Sequence, residues 1–236
     1  MRPATVIFDL DGTLADTSAD LLAAANACFR ELGLGDRLGR GDEGVALRGG
    51  RAMLSLGFTR AGGAPEGEVD RQYPRLLRNY EEAICVRTRL YPGAAEAVER
   101  LRGAGHPTGI CTNKPEALAE RLLRELGVRE LFGSLVGADT LPVRKPDPLA
   151  FRTAVIWAGG DSGRACMVGD SDTDHLTARA AGAPSILVGF GPSGEDLSLL
   201  GPDAILESFE ELPGVVAALW PRPTRAAWPA EGAMAV

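Results

Sequence analysis

Two carboxylates stand two residues apart near the N-terminus. An apolar run over residues 6–8 comes first, and Asp9 and Asp11 follow it. In an extended chain, side chains two residues apart point to the same side, so these carboxylates would lie close together. Gly12 then allows a tight turn of the backbone, because glycine has no Cβ atom. Neighbouring carboxylates repel each other, and a divalent cation with oxygen ligands would compensate that repulsion.

Three further polar residues follow later segments of the chain. Thr112 follows a short apolar run, and a hydroxyl with backbone N–H groups near a helix start can hold phosphate oxygens. Lys145 lies in a proline-bounded loop, where its ammonium can offset clustered carboxylates and neutralise a phosphoryl group. Asp170 follows another apolar run and can complete a Mg²⁺ site.

The elements that must position these residues alternate along the chain. Strands are predicted at 108–111, 134–136, 164–168 and 185–188, with helical spacing between them and a last helix at 209–219. This alternation predicts an α/β fold with a Rossmann-like parallel sheet, covered by helices on both faces. Ligands bind such sheets at the carboxyl ends of the strands, which is where all the polar residues above fall.

The segment between the first strand and residue 87 has a different pattern. Apolar residues recur there at helical spacing, as at Leu21, Ala25 and Cys28, without strand alternation. Pro74 interrupts one such run, and an interior proline costs a helix ~3 kcal/mol, so a kink or a late helix start is predicted.

These patterns predict a division of the chain into domains. Residues 1–14 and 87–220 form the α/β core, and residues 15–86 form an inserted all-helical domain that returns to the core near 91–93. Residues 221–236 contain three prolines among small residues and are predicted to be a flexible tail.

Composition excludes several classes of partner. The chain has 236 residues, a net charge of −7 and 45% hydrophobic residues, with acidic and basic side chains mixed along it. That balance argues against nucleic acid or an anionic membrane as the main partner. No apolar run approaches the ~20 residues that span a bilayer. With no export signal and no paired spacing of its four cysteines, the protein is expected to be cytoplasmic.

The polar segments together resemble the four motifs of the haloacid dehalogenase (HAD) superfamily of phosphohydrolases. They occur in the family's order, as Asp-Leu-Asp-Gly-Thr at 9–13, Thr-Asn-Lys at 112–114, Lys-Pro-Asp-Pro at 145–148 and Gly-Asp-Ser-Asp-Thr-Asp at 169–174. The helical insertion is similar to the C1 cap of that family. Within the family, the chain most resembles the phosphoglycolate phosphatases, through residues 8–14 with Asp16, the return at 91–93 and the Thr-Asn-Lys segment.

The resemblance implies a covalent mechanism. Asp9 would attack phosphorus and form an aspartyl-phosphate. Asp11 would give a proton to the leaving alkoxide and later take one from water. Mg²⁺ would be held by the carboxylates of Asp9 and Asp170 and by the backbone carbonyl of Asp11.

The same resemblance implies roles for the remaining site residues. Thr112 and Lys145 would act with Asn113 on the phosphoryl oxygens, and Gly12 would belong to the substrate-binding set. Asp174 would support the site by orienting Lys145 or a metal-bound water, while Asp172 is predicted to cap the following helix. In the cap, Arg48 stands beside two glycines and is the candidate to bind a carboxylate of the substrate bidentately.

The implied activity is a Mg²⁺-dependent phosphatase acting on a small phosphorylated metabolite, with 2-phosphoglycolate as the expected substrate and a monomer or homodimer as the expected state. Alternatives are another small phosphate ester or pyrophosphate, or phosphoryl transfer like that of β-phosphoglucomutase. From another class, the chain could be a catalytically silent phosphoester-binding regulatory protein. The presence of Asp9, Asp11, Lys145 and Asp170 argues against silence, and the acid at Asp11 argues against dehalogenation and phosphonate hydrolysis.

Overall fold

The computed structural model describes residues 3–191 and 196–220, so the predicted tail at 221–236 lies outside it. Within these ranges the strands are β1 Thr5–Phe8, β2 Ala15–Asp16, β3 Arg89–Leu90, β4 Thr108–Cys111, β5 Ser134–Val136, β6 Ala165–Gly169, β7 Ser185–Val188 and β8 Ala204–Leu206. The helices are α1 Ser18–Glu31, α2 Glu43–Leu47, α3 Gly50–Arg60, α4 Glu68–Glu82, α5 Ala94–Gly103, α6 Glu116–Glu125, α7 Pro148–Trp157, α8 Asp172–Ala181 and α9 Leu212–Leu219. Short 3₁₀ turns cover Arg129–Leu131, Ser162–Arg164, Leu197–Leu200 and Phe209–Glu211.

Six strands form one parallel sheet in the order β5-β4-β1-β6-β7-β8. Every residue of β1 is buried, as its continuous apolar run predicts for a strand covered on both faces. Val6 and Phe8 pack into one hydrophobic cluster and Ile7 into the other, so a layer of helices covers each face. The predicted α/β parallel sheet is confirmed.

At the centre of the sheet, between β1 and β6, the order in which strands are added reverses. From β1 the sheet grows through β4 and β5 on one side, then through β6, β7 and β8 on the other. Side chains that follow β1 and β6 therefore face a crevice at a topological switch point, where open α/β sheets bind ligands.

Helices α1 to α4 lie between two very short strands that leave and rejoin the core. β2 and β3 pair antiparallel, with Ala15 opposite Leu90 and Asp16 opposite Arg89. The helices pack on one another through an edge-to-face contact of Phe29 and Phe58, whose ring centroids are 5.2 Å apart. This arrangement supports the proposal that residues 15–86 form a cap on the core of 1–14 and 87–220.

Two details of the secondary structure differ from the predictions. α4 begins at Glu68, six residues before Pro74, and runs through that proline. Of the two predicted outcomes, a kink or a late helix start, the late start is therefore wrong. The helix tolerates the missing N–H because it buries Leu76 and Tyr80 against the rest of the cap. β8 was not predicted, because this three-residue edge strand is only partly buried and has almost no pattern.

Among the helices of residues 3–191 and 196–220, none has the length and apolar character that a membrane crossing requires.

Candidate active site

Three buried carboxylates meet at the carboxyl edge of the sheet. Asp9 follows β1, Asp170 follows β6, and Asp174 lies in the first turn of α8. One oxygen of each lies within 4.8 Å of the others. The whole residues are only 9%, 4% and 0% exposed, so water screens their mutual repulsion very little.

The three carboxylates carry more negative charge than the nearby Lys145 can neutralise. Burial raises the pKa of Asp9 to about 6, and the neighbouring Asp174 and Asp11 add to this, although Lys145 opposes it. Burial, followed by the charges of Asp174 and Asp9, raises the pKa of Asp170 well above its ordinary value. A divalent cation with oxygen ligands would relieve both effects, so the donor set fits such an ion.

Glycine and threonine in the first motif let the two loops approach each other. Gly12 has a φ of 80°, and a Cβ atom there would lie 2.5 Å from Oδ2 of Asp170. The hydroxyl of Thr13 donates to Oδ1 of Asp170 at 2.7 Å. The turn predicted at Gly12 thus allows the close approach of Asp170 to the loop after β1.

Asp174 uses both of its oxygens on protein donors. Oδ1 accepts from Nζ of Lys145 at 2.6 Å, and Oδ2 accepts from the hydroxyl of Ser171 at 2.7 Å and from two backbone N–H groups. Ser171 and Asp174 form the capping box of α8. The prediction that Asp172 caps this helix is wrong, since Asp172 is its first helical residue and the shorter Ser171 side chain reaches the N3 amide.

Lys145 connects the nucleophile candidate with Asp174. Its Nζ lies 3.0 Å from Oδ1 of Asp9, and its side chain is only 2% exposed. Burial alone would lower the pKa of this ammonium, but Asp174 and Asp9 together raise it above its ordinary value. The amide of Asn113 donates to the backbone carbonyl of Lys145 at 3.1 Å and so ties the second motif to the third.

Asp11 has a partner that the sequence had not indicated. Both of its carboxylate oxygens accept from Nζ of Lys114, at 2.8 and 3.0 Å. The backbone N–H of Lys114 donates in turn to the hydroxyl of Thr112 at 3.2 Å, which fixes that motif locally. Sequence reasoning had not placed Lys114 among the site residues, although its position two residues after Thr112 in a recognised motif was an available signal.

A cavity of about 310 Å³ lies between this edge of the sheet and the cap helices. Asp9, Asp11, Thr112 and Lys145 line it from the core, and Arg48 lines it from the end of α2. Further lining comes from Asn113 and Lys114 in the core and from the cap residues Leu21, Ala46, Leu47, Gly49, Gly50, Arg51, Tyr73, Leu76, Leu77 and Tyr80. The structure therefore brings the predicted cap arginine into the same cavity as the predicted reactive residues.

Comparison with known proteins identifies the class to which this sheet and its four ordered motifs belong. The model of the haloacid dehalogenase-like hydrolase family matches residues 3–182, and the chain belongs to that family. The prediction made from the motifs is confirmed.

Individual relatives cover nearly the whole chain. A protein named phosphoglycolate phosphatase from Caulobacter vibrioides is 37% identical over 217 residues, which is 90% of each chain. One of the same name from Mesorhizobium japonicum is 39% identical over 90% of this chain and 94% of its own. The crystal structure of CbbY from Rhodobacter sphaeroides in complex with phosphate superimposes with a TM-score of 0.73 at 26% identity, covering 89% of this chain and 96% of that one. The family and these relatives indicate a phosphoric monoester hydrolase, as predicted.

Proposed function

We propose that this chain is a Mg²⁺-dependent phosphatase that hydrolyses 2-phosphoglycolate through an aspartyl-phosphate. The observation that carries the proposal is the juxtaposition of Asp9, Asp11 and Lys145 on the wall of one capped cavity, above a buried acidic cluster. The names of the relatives support the choice of substrate.

Asp9 is the proposed nucleophile. It directly follows the central strand β1 and lines the cavity. Its Oδ1 has no hydrogen-bond partner within the described ranges, although Nζ of Lys145 lies 3.0 Å away. A carboxylate oxygen that is fixed in position and accepts no hydrogen bond has its lone pairs available to attack phosphorus in line. The ammonium of Lys145 would reduce the repulsion between this carboxylate and the incoming phosphate.

Asp11 is the proposed general acid and base. Its side chain is 17% exposed, more than those of Asp9 and Asp174, and it lines the cavity. In the first half-reaction it would donate a proton to the leaving oxygen, and in the second it would take a proton from the attacking water.

The residues present fit a bound Mg²⁺ ion. The carboxylates of Asp9 and Asp170 and the backbone carbonyl of Asp11 would hold it, because both oxygens of Asp174 already accept from protein donors. When bound, Mg²⁺ would offset negative charge on the phosphate and on the clustered carboxylates. Asp174 then acts as a supporting residue that orients Lys145.

The remaining phosphoryl oxygens would be held by Thr112, Asn113 and Lys145, with Gly12 allowing close backbone approach. Arg48 would bind the substrate carboxylate from the cap, since it lines the cavity opposite the core motifs. The cap would close over the substrate and exclude bulk water.

The biological setting is part of the proposal. The partner is a small phosphorylated metabolite rather than nucleic acid or membrane, and the protein acts as a monomer or homodimer. Its four cysteines, three of them buried, are free, which supports a cytoplasmic location.

A phosphate-release assay over a panel of small esters tests this function. The panel contains 2-phosphoglycolate, pyrophosphate, β-glucose 1-phosphate and an aryl phosphate, each with Mg²⁺ and with excess chelator. We expect 2-phosphoglycolate to give the highest kcat/KM, and no turnover in chelator. Asp9→Asn should fold but release no phosphate, because an amide is a poor nucleophile.

Each other outcome has a defined meaning. Full activity in chelator or in Asp9→Asn would refute the mechanism. Better hydrolysis of another ester would refute only the substrate, and isomerised sugar phosphate without free phosphate would indicate a mutase. A folded wild-type protein that binds esters without turnover would be a regulatory protein.

A further inference from the structure

A second ammonium lies in the cavity and has no role in the chemistry above. The side chain of Lys114 is 3% exposed, and its Nζ lies 2.8 Å from Oδ1 of Asp11. On the cap side the aromatic ring of Tyr80 covers it, with 4.3 Å between Nζ and the ring centroid. Lys114 therefore lies between the proposed general acid in the core and helix α4 of the cap.

Tyr80 brings a buried donor to the same place. The residue is 1% exposed, and its hydroxyl proton has no acceptor among residues 3–191 and 196–220. Burial raises the pKa of Tyr80 to about 12, so the hydroxyl keeps its proton at neutral pH. A buried hydroxyl proton without an acceptor is unfavourable. Because Tyr80 and Lys114 both line the cavity, an acceptor on a bound ligand can satisfy it.

The position of Lys114 relates directly to the leaving group. Asp11 must come within hydrogen-bond reach of the ester oxygen to protonate it. In 2-phosphoglycolate the carboxylate carbon is two bonds from that oxygen. A cation in contact with Asp11 is therefore close to where this carboxylate must lie, whereas Lys145 is in contact with Asp9 and serves the phosphoryl group.

We propose that Lys114 and Tyr80 form the subsite for the carboxylate of the leaving group. Lys114 pairs with one carboxylate oxygen, and the Tyr80 hydroxyl donates to the carboxylate as well. An ammonium has three N–H donors, so Lys114 can bind the substrate and still hold Asp11. The inference rests on the proposed function, and it defines the substrate class as phosphate monoesters with an anionic group one carbon beyond the ester oxygen.

With this subsite, residues of both the cap and the core contact the substrate carboxylate. Arg48 belongs to the cap, while Lys114 belongs to the core and is fixed by its contact with Asp11. Tyr80 enters from α4, so its hydroxyl reaches the carboxylate only when the cap covers the core. Binding of the carboxylate would therefore favour the closed arrangement of cap and core.

The test compares two substrates of the same size. One is 2-phosphoglycolate, and the other is the phosphate ester of glycolamide, in which a neutral amide replaces the carboxylate. The readout is the ratio of kcat/KM for the two substrates, because a residue that only orients Asp11 would affect both alike. Wild-type preference for the carboxylate tests the proposed function, and the variants test the subsite.

We expect Lys114→Met to lower this ratio by roughly 10- to 100-fold, the effect of losing a charged hydrogen bond. Lys114→Arg should retain most of the ratio, since it keeps the charge. Tyr80→Phe should lower it by about 3- to 10-fold, because the hydrogen bond that is lost goes to a charged carboxylate in one substrate and to a neutral amide in the other. Tyr73→Phe is the matched control, because Tyr73 lines the same cavity from the same helix, and the ratio should not change.

Equal losses on both substrates in Lys114→Met, with the wild-type preference intact, would overturn the subsite and leave Lys114 as a support for Asp11. Should Lys114→Met fail to fold, Tyr80→Phe decides, because it removes only a hydroxyl whose proton has no acceptor in the described residues. An unchanged ratio in that variant would overturn the proposal. No carboxylate preference in the wild-type protein would instead reject the proposed substrate.

Discussion

Replacing Gly12 with alanine should have two effects, backbone strain and a steric clash with Asp170. Gly12 has a φ of 80°, where a residue with a Cβ atom loses about 1–2 kcal/mol. The new Cβ would also lie 2.5 Å from Oδ2 of Asp170, a proposed metal ligand, so that carboxylate must shift. We expect lower stability together with a large loss of activity and of Mg²⁺ affinity.

Gly159 offers a matched control. Its φ is 79°, but a Cβ atom there would meet nothing within 4 Å. The strain of about 1–2 kcal/mol is common to both alanine variants. For a chain of this size, each kcal/mol lowers the melting temperature by about 2–4 °C, so both variants should melt about 2–8 °C lower. Only Gly12→Ala should raise the Mg²⁺ concentration needed for half-maximal activity, by at least about tenfold if the shift costs the ion 1.4 kcal/mol.

The measurements are thermal melts in chelator and a Mg²⁺ titration of phosphate release. If Gly12→Ala and Gly159→Ala have the same Mg²⁺ requirement, the close approach of the loop to Asp170 does not matter for the metal site, and the reasoning is refuted.

Three other changes give further predictions. With an alkyl ester, Asp11→Asn should lower the rate of hydrolysis by more than the ~10²–10⁴-fold of one acid–base step, since Asp11 acts in both half-reactions. The rate should fall less with an aryl ester, whose leaving group needs no proton. Equal losses with both esters would remove Asp11 from the general-acid role. In the metal-free protein, the pKa of Asp9 in the folded state is about 6, above its ordinary value of 3.8. Protonated Asp9 therefore contributes to the stability of the fold below pH 3.8, and this contribution is lost as the pH rises through about 6. Asp170, whose pKa is also raised, acts in the same direction. Stability in chelator should therefore fall over this window, and added Mg²⁺ should stabilise more at pH 7 than at pH 5; melts that show the opposite trend would contradict the electrostatic account. Arg48→Ala should lower kcat/KM for 2-phosphoglycolate by ~1.5–3 kcal/mol and barely affect a neutral aryl ester, and equal losses would make Arg48 structural.

The arrangement of the core could be predicted from the sequence because its signals are local. A continuous apolar run marks a strand buried on both faces, and the polar residue after it must then lie at the carboxyl edge of a parallel sheet. Asp9, Thr112 and Asp170 come together for this reason, although they are far apart in the chain. The helical cap was likewise visible in the spacing of its apolar residues.

Contacts between segments distant in the chain depended on the tertiary structure. Lys114 and Asp11 are 103 residues apart, and nothing local indicates that this ammonium would turn to Asp11. Tyr80 had the spacing of a core residue in an amphipathic helix, which predicts burial but not a place in the lining of the cavity. Pro74 shows the same limit, because burial of one face of α4 outweighs the local preference against helix. Propensity and motif spacing act over a few residues, whereas the partner of each donor and acceptor is decided by which segments the fold packs together.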